Sequence, residues 1–195
     1  QNIKILKNAL VRSKAEIKKI IPIGARHSMG KQSIMENAIH IDLSLLRGMK
    51  MENGLLRVQA GAYWKDVLQY LAPKGLSVEI MQSNADFSIG GTLSVNAHGW
   101  QPDRPPVASS VQKITLFTAK GEIISCSREE NTELFKHAMG GYGLFGIILE
   151  AWIKPVPNEI LRSSHRVYHY EDFPKEWNKM KENPVRLAFG RLSVA

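Results

Sequence analysis

Apolar residues between Ala62 and Leu71 fall at Trp64, Val67, Leu68 and Leu71, the i, i+3, i+4, i+7 spacing of one helical stripe, which Pro73 and Gly75 close. Around this segment the period changes. Ile20-Ile21-Pro22-Ile23 is a short β-branched apolar run, and residues 38–43 alternate apolar and polar positions, so both read as strands, with His40 on the polar side as a surface histidine. Asn53-Gly54 is a turn dipeptide between two strand-like segments, the second being residues 55–60. Residues 76–80 give another strand, residues 113–118 and 122–126 a hairpin about Ala119-Lys120-Gly121, and residues 147–153 a last strand. Two further helices are predicted. Ser13 and Glu16 match a capping box at the head of a short helix over residues 15–19, and Asn131 caps one through Lys136-His137-Ala138, closed by Gly140-Gly141.

After Pro155-Val156-Pro157 the texture turns aromatic and mixed in charge, with Tyr168, Tyr170, Phe173 and Trp177, which predicts the start of a second domain near residue 160. Leu187-Ala188-Phe189-Gly190-Arg191-Leu192 looks like an interrupted strand, and the chain stops at Ala195 in mid-pattern, so a longer protein is expected. The chain opens on Gln1 rather than Met, which leaves open whether a leader, tag or upstream segment preceded it. The compartment, cytoplasmic or periplasmic and secreted, stays open with it.

The 195 residues suffice for one large domain or two small ones, and 44% hydrophobic with 23% charged residues is an ordinary globular composition. No apolar run approaches the roughly 20 residues of a membrane-crossing helix. The net charge of +8 raises nucleic acid as a partner. Its cations, from Lys4 and Lys7 through Lys50 and Lys113 to Lys181, are interleaved with acids, so a solvated surface is the better reading and no nucleic-acid partner is expected. The single cysteine, Cys126, excludes an internal disulfide and a thiolate metal cluster and reads as a buried structural thiol; no metal site is expected.

The chemistry gathers in three glycine-bearing stretches. Gly24-Ala25-Arg26-His27-Ser28-Met29-Gly30 hangs off the 20–23 strand and leads into Lys31-Gln32-Ser33. Its small residues leave backbone N–H groups uncovered and glycine can turn them to one side, as an anion-binding nest requires. A phosphate fits here, with His27 in reach of whatever carries it. The second stretch is Phe87-Ser88-Ile89-Gly90-Gly91-Thr92-Leu93-Ser94-Val95-Asn96-Ala97-His98-Gly99, read as a glycine loop with exposed N–H and O–H donors and an unshielded His98; a tight turn that merely reverses the chain is the alternative. The third, Gly141-Tyr142-Gly143-Leu144-Phe145-Gly146, matches G-x-G-x-x-G literally. It follows a helix and opens a strand, the reverse of the order in a dinucleotide-binding βαβ unit, so its glycines are close-approach positions instead.

Taken in order, the Gly24 stretch, Ser88-Ile89-Gly90-Gly91-Thr92 with Ala97-His98-Gly99, and Gly143-Leu144-Phe145-Gly146-Ile147-Ile148 resemble the FAD-binding domain of the vanillyl-alcohol oxidase/p-cresol methylhydroxylase (PCMH-type) flavoproteins, over about residues 10–157. The resemblance implies an α+β fold of two α/β subdomains, about residues 1–80 and 81–159, with FAD extended between them and a substrate (cap) domain beginning over residues 160–195. It implies that Gly24, Ala25, Arg26, His27, Ser28, Met29, Gly30 and Gln32 take the pyrophosphate. Ser83, Ser88, Ile89, Gly90, Gly91, Val95, Asn96, Ala97 and His98 would line pyrophosphate and isoalloxazine, and Gly143, Gly146, Ile147 and Ile148 would approach the flavin with their main chain. In many members a histidine at the His27 position is bonded covalently to the flavin methyl carbon. No cysteine stands within residues 82–87, which excludes a second such bond. Relative to the family, the connection at Lys18-Lys19-Ile20 looks shortened.

The function so implied is an FAD-dependent oxidase or dehydrogenase that takes a hydride from a hydroxyl-bearing carbon of a sugar, alditol, aldonolactone or related alcohol and passes the electrons to oxygen or another acceptor. His98 is the candidate catalytic residue near the flavin, and the substrate base is expected in the cap domain. The alternatives are a reductase resembling UDP-N-acetylenolpyruvoylglucosamine reductase, or a non-catalytic basic nucleotide-binding module.

Overall fold

The computed structural model describes residues 2–182 and 185–193. Helix α1 (Asn2–Glu16) packs Leu6 and Ala9 into a cluster with Ile41, Leu43, Phe117, Ile147 and Leu149. It ends where the capping box was expected to begin a helix. The Ser13 hydroxyl donates to the Lys18 carbonyl, Glu16 pairs with Arg12 one turn back at 3.2 Å, and Ile17 turns left-handed at φ 53°. A Ser-x-x-Glu spacing occurs at either end of a helix; Ile3, Leu6 and Leu10 at i, i+3, i+7 are the signal that places this one.

Strands β1 (Ile20–Ile23) and β2 (Ile39–Asp42) pair in parallel, with Ile20 opposite Ile39 and Ile23 opposite Asp42. Parallel neighbours need a crossover, and residues 24–38 are that crossover. His40 is exposed on β2. The hairpin at Asn53-Gly54 joins β3 (Met49–Glu52) to β4 (Leu55–Gln59), and β5 (Leu76–Val78) follows. Strands β6 (Val111–Phe117), β7 (Ile123–Ser127) and β8 (Ile147–Ile153) complete a five-stranded antiparallel sheet in the order β3-β4-β8-β6-β7, while β9 (Pro155–Pro157) pairs back with β5. Strand β4 thus hydrogen-bonds to β8, so the large sheet draws on both sides of residue 80. Its inward positions, Leu56, Val58, Ile114, Leu116, Ala151 and Ile153, are at most 1% exposed. On the outward face Arg57 grips Glu150 through Nη2 at 2.8 and 3.0 Å and stands over the Trp152 ring, 5.2 Å from its centroid. Cys126 is buried in β7; burial, with the nearby Glu130 charge, pushes its thiol pKa up and keeps it protonated.

Helix α2 (Trp64–Leu71) forms as its stripe predicts, with Trp64, Val67 and Leu71 fully buried on the sheet. The supposed glycine loop is a helix over part of its length. Residues Ile89–Val95 form α3, ended by Asn96 at φ 47°, and the glycines that argue against a helix are there because the helix lies close on another chain segment. A β-carbon at Gly90 would come within 2.9 Å of the Ala60 β-carbon, and the Gly90 N–H donates to the Ala60 carbonyl at 2.8 Å. Helix α4 (Thr132–Ala138) starts at Asn131 as expected, but without the side-chain cap: Asn131 sits at φ 49° and its amide donates to the Ser125 carbonyl at 2.8 Å. Beyond β9 the aromatic stretch supplies α5 (Phe173–Glu182). No strand forms over residues 187–192. Ala188 instead donates its N–H to the Trp100 carbonyl at 2.8 Å, and Phe189 stacks on Trp100 with ring centroids 4.4 Å apart. Ala195 lies outside the described residues. No described helix is long and apolar enough to cross a membrane.

A buried polar chain ties these pieces together. The Trp64 indole donates to the Thr92 hydroxyl at 2.8 Å, Thr92 donates to the Gln82 side-chain oxygen at 3.2 Å, and the Gln82 amide donates to the Asn84 carbonyl at 2.8 Å. Trp64, Thr92 and Gln82 are all buried, so each polar atom depends on the next for a partner. Thr92→Val keeps the shape and strands both the indole N–H and the Gln82 oxygen; urea unfolding should show a loss of about 1–3 kcal/mol. A loss under about 0.5 kcal/mol, the range of ordinary surface changes, would show that the chain does not hold α2 to α3.

Candidate functional site

The crossover from β1 leaves the sheet at Gly24 and bends sharply. Arg26 and Lys31 adopt left-handed backbone at φ 60° and 57°, a pattern that turns successive N–H groups toward one side. Among the described residues, no acceptor is paired with the N–H groups of residues 26–30, and Ala25 donates its own to the Ser88 hydroxyl at 3.3 Å. Gly24 is a glycine because of Ser88: a β-carbon there would overlap the Ser88 hydroxyl. Residues 26–32 are exposed, Met29 almost completely. The Arg26 guanidinium lies 3.7 Å from Asp42, whose carboxyl is held below the usual aspartate range, chiefly because it accepts the Ser44 N–H.

All three glycine stretches meet around α3. Ser88, at its N-terminal end, touches Gly24 and Ala25. At its other end the carbonyls of Leu93 and Ser94 accept the N–H groups of Gly140 and Tyr142, at 3.0 and 2.9 Å. A β-carbon at Gly143 would stand 3.5 Å from the Pro22 ring, just ahead of Gly24, so the third stretch closes back on the first. Ile147 and Ile148 are buried in β8 opposite Phe117 and Leu116 of β6. On the β4 side the ladder ends where Ala60 donates to Leu149, which leaves the main chain of Ile147 and Ile148 outside it on that side.

The donors at the head of α3 differ from the expectation. Ile89 and Gly90 donate their N–H groups to the Ala62 and Ala60 carbonyls at 2.9 and 2.8 Å, so they are already paired within the protein and buttress the site instead of facing it. Ser88, Ile89 and Gly90 are buried; Gly91, Val95 and His98 are exposed, with Asn96 and Ala97 between. Asn96 accepts the Ala108 N–H at 3.1 Å, which fixes the turn after α3. The His98 Nδ1 lies 3.1 Å from the Gly99 carbonyl, a contact in which the ring must donate, and no partner is paired with its Nε2 among the described residues. Gly146 packs against Phe117 and Leu116. Ser83 stands apart from this convergence, on the wall of a cleft of about 520 Å³ shared with Trp100, Gln101, Arg104, Glu159 and Leu187. Sequence reasoning gave no role to two residues: Phe87, whose ring stacks on His27 in the loop, and Thr92, which fixes α3 from within the core. A helical reading of residues 89–95, had the glycines not hidden it, would have pointed to Thr92 on the buried face; no local pattern marks Phe87.

A loop of unpaired N–H groups with Arg26 and Lys31 at its bends suits an anion. The model of the FAD binding domain family matches residues 1–127. This chain belongs to that family. Cytokinin dehydrogenase 2 of Arabidopsis thaliana is 35% identical over 133 residues, covering 67% of this chain and 26% of the relative. D-arabinono-1,4-lactone oxidase of Yarrowia lipolytica is 31% identical over 123 residues, or 63% of this chain and 23% of the relative. The oxidase of the same name from Candida glabrata is 24% identical over 184 residues, 91% of this chain and 34% of the relative. The chain thus spans about a quarter to a third of the length of these relatives, which are PCMH-type flavoproteins. The cofactor of the family is FAD, and the residues present fit it: the free N–H groups of 26–30, with Arg26 and Lys31 beside them, suit a pyrophosphate.

Gly24→Ala tests that cradle. The added methyl pushes Ser88 and the loop apart and should weaken binding of freely exchanging FAD at least about tenfold, ~1.4 kcal/mol. Removing the opposing hydroxyl with Ser88→Ala should recover only part of that loss in fluorescence titrations of the full-length protein, because the acceptor of the Ala25 N–H goes with it. Unchanged affinity in Gly24→Ala would show that the loop does not carry the cofactor.

Proposed function

We propose that this chain is the FAD-binding part of an oxidoreductase that oxidises a hydroxyl-bearing carbon of a sugar, alditol, aldonolactone or related alcohol and delivers the electrons to oxygen or another acceptor. Residues 1–159 form the cofactor unit in this reading and residues 160–195 begin the substrate domain. The observation that carries it is the convergence of three separated glycine stretches on one loop of unpaired backbone donors, in a chain of the FAD binding domain family. The names of the lactone oxidases among its relatives support the substrate class, and the dehydrogenase among them keeps the acceptor open.

When bound, FAD supplies the two-electron acceptor; the protein supplies placement. The N–H groups of residues 26–30 bind the pyrophosphate, and Arg26 and Lys31 add charge to that contact. Ser88 fixes the loop through Ala25, so the donors are set before the anion arrives. The main chain of Ile147 and Ile148, outside the ladder on the β4 side, meets the ring system. His27 projects from the same loop, and its imidazole is the residue we assign to covalent attachment at the flavin methyl carbon. His98, with Nε2 free, lies on the exposed turn after α3, where a proton acceptor toward the flavin is of use. The base that takes the substrate proton comes from the substrate domain in this reading. No nucleic-acid contact is required.

The purified full-length protein should be yellow, keep its flavin absorbance on the pellet after acid precipitation, and bleach under anaerobic conditions with a hydroxyl-bearing substrate such as an aldonolactone. His27→Ala should bind FAD and release all of it on acid treatment. Colourless protein that does not take up FAD would sink the assignment, and acid-stable flavin in His27→Ala would move the attachment to another residue.

A further inference from the structure

His27 stands on an exposed loop, yet its ring has a neighbour. The imidazole stacks on Phe87 with ring centroids 4.7 Å apart and planes inclined by 25°. Phe87 itself is half-buried and held through its backbone by the first turn of α2: the Phe87 carbonyl accepts the Trp64 N–H at 3.1 Å, the Ala85 carbonyl accepts the Lys65 N–H at 2.8 Å, and Ser88 bridges to Tyr63. The carboxylate before it is anchored too, since Asp86 pairs with Lys65 at 2.7 Å and its N–H donates to the Asn84 side chain at 2.9 Å. Residues 84–88 are therefore a platform fixed to the core, and the exposed His27 ring rests on it.

We propose that Phe87 is the positioning residue for covalent flavin attachment at His27: its ring holds the imidazole in one orientation over the loop so that a ring nitrogen is presented to the flavin methyl carbon. The inference rests on the assignment of His27 as the attachment residue. In that reaction the imidazole nitrogen forms a C–N bond to the methyl carbon, one C–H and one N–H bond break, and two protons leave. The electron pair is passed to dioxygen, which is reduced to hydrogen peroxide. Such a step needs the reacting atoms held near 3–3.5 Å and aligned, and an imidazole free to rotate about its two side-chain torsions meets that condition only part of the time. A flat ring beneath it removes that freedom without supplying or accepting a proton. The Asp86 carboxyl is held below its ordinary range chiefly by its hydrogen bond and ion pair with Lys65.

The test uses the full-length protein, prepared without flavin and then given excess FAD in air. Phe87→Leu should bind FAD with an affinity within about threefold of the unmodified protein but gain acid-stable flavin at least about tenfold more slowly. Phe87→Tyr, which keeps a flat ring, should attach it at nearly the original rate. A merely structural role for Phe87 predicts parallel losses of binding and attachment, and that result, or an unchanged attachment rate in Phe87→Leu, overturns the inference. If the unmodified protein gains no acid-stable flavin while binding FAD, the assignment of His27 itself fails and the inference falls with it. The two failures are distinguished by whether the unmodified protein labels.

Discussion

The docking of the first turn of α3 on the end of β4 is the contact on which the rest depends. Gly90 and Ile89 give their N–H groups to the Ala60 and Ala62 carbonyls, and the helix can come that close only because residue 90 lacks a side chain. A helix N-terminus is ordinarily the place for an anion. Here its first donors are committed to the protein, the unpaired donors lie on the crossover loop instead, and α3 is the wall against which that loop is set. Ser88 at one end and the Leu93 and Ser94 carbonyls at the other fix the two remaining glycine stretches to the same helix.

Much of this architecture is readable from residue pattern where local and tertiary preferences agree. Helix α2 shows its stripe because one face meets the sheet and the other meets water, and the Asn53-Gly54 hairpin is specified by the backbone its turn demands. Helix α3 is different. Two glycines in seven residues cost helix stability locally, and the compensating contacts with Ala60, Ala62 and Trp64 come from residues far away in sequence. The same holds for α1, whose closing Ser13 and Glu16 carry the chemistry of an opening.

The site divides along the same line. The order of the glycine motifs names its three walls, because close approach demands small residues whatever the surroundings. It cannot say which donors in those walls are already paired, since that is settled by distant carbonyls: Gly90 loses its N–H to Ala60, while residues 26–30 keep theirs. Nor does spacing connect His27 with Phe87, residues separated by most of the first half of the chain and joined only when β1 and α3 are placed side by side.

The parallel pairing of β1 with β2 carries a further consequence. Each strand has four residues, a short ladder for a parallel pair, and the only covalent connection between them is the loop over residues 24–38. The course of that loop and the register of the smaller sheet are therefore set together. The loop over residues 24–38 thus meets two demands at once, the span between parallel strand ends and a row of unpaired backbone donors, so a change in its length or stiffness acts on the pairing of β1 with β2 as well as on the candidate site.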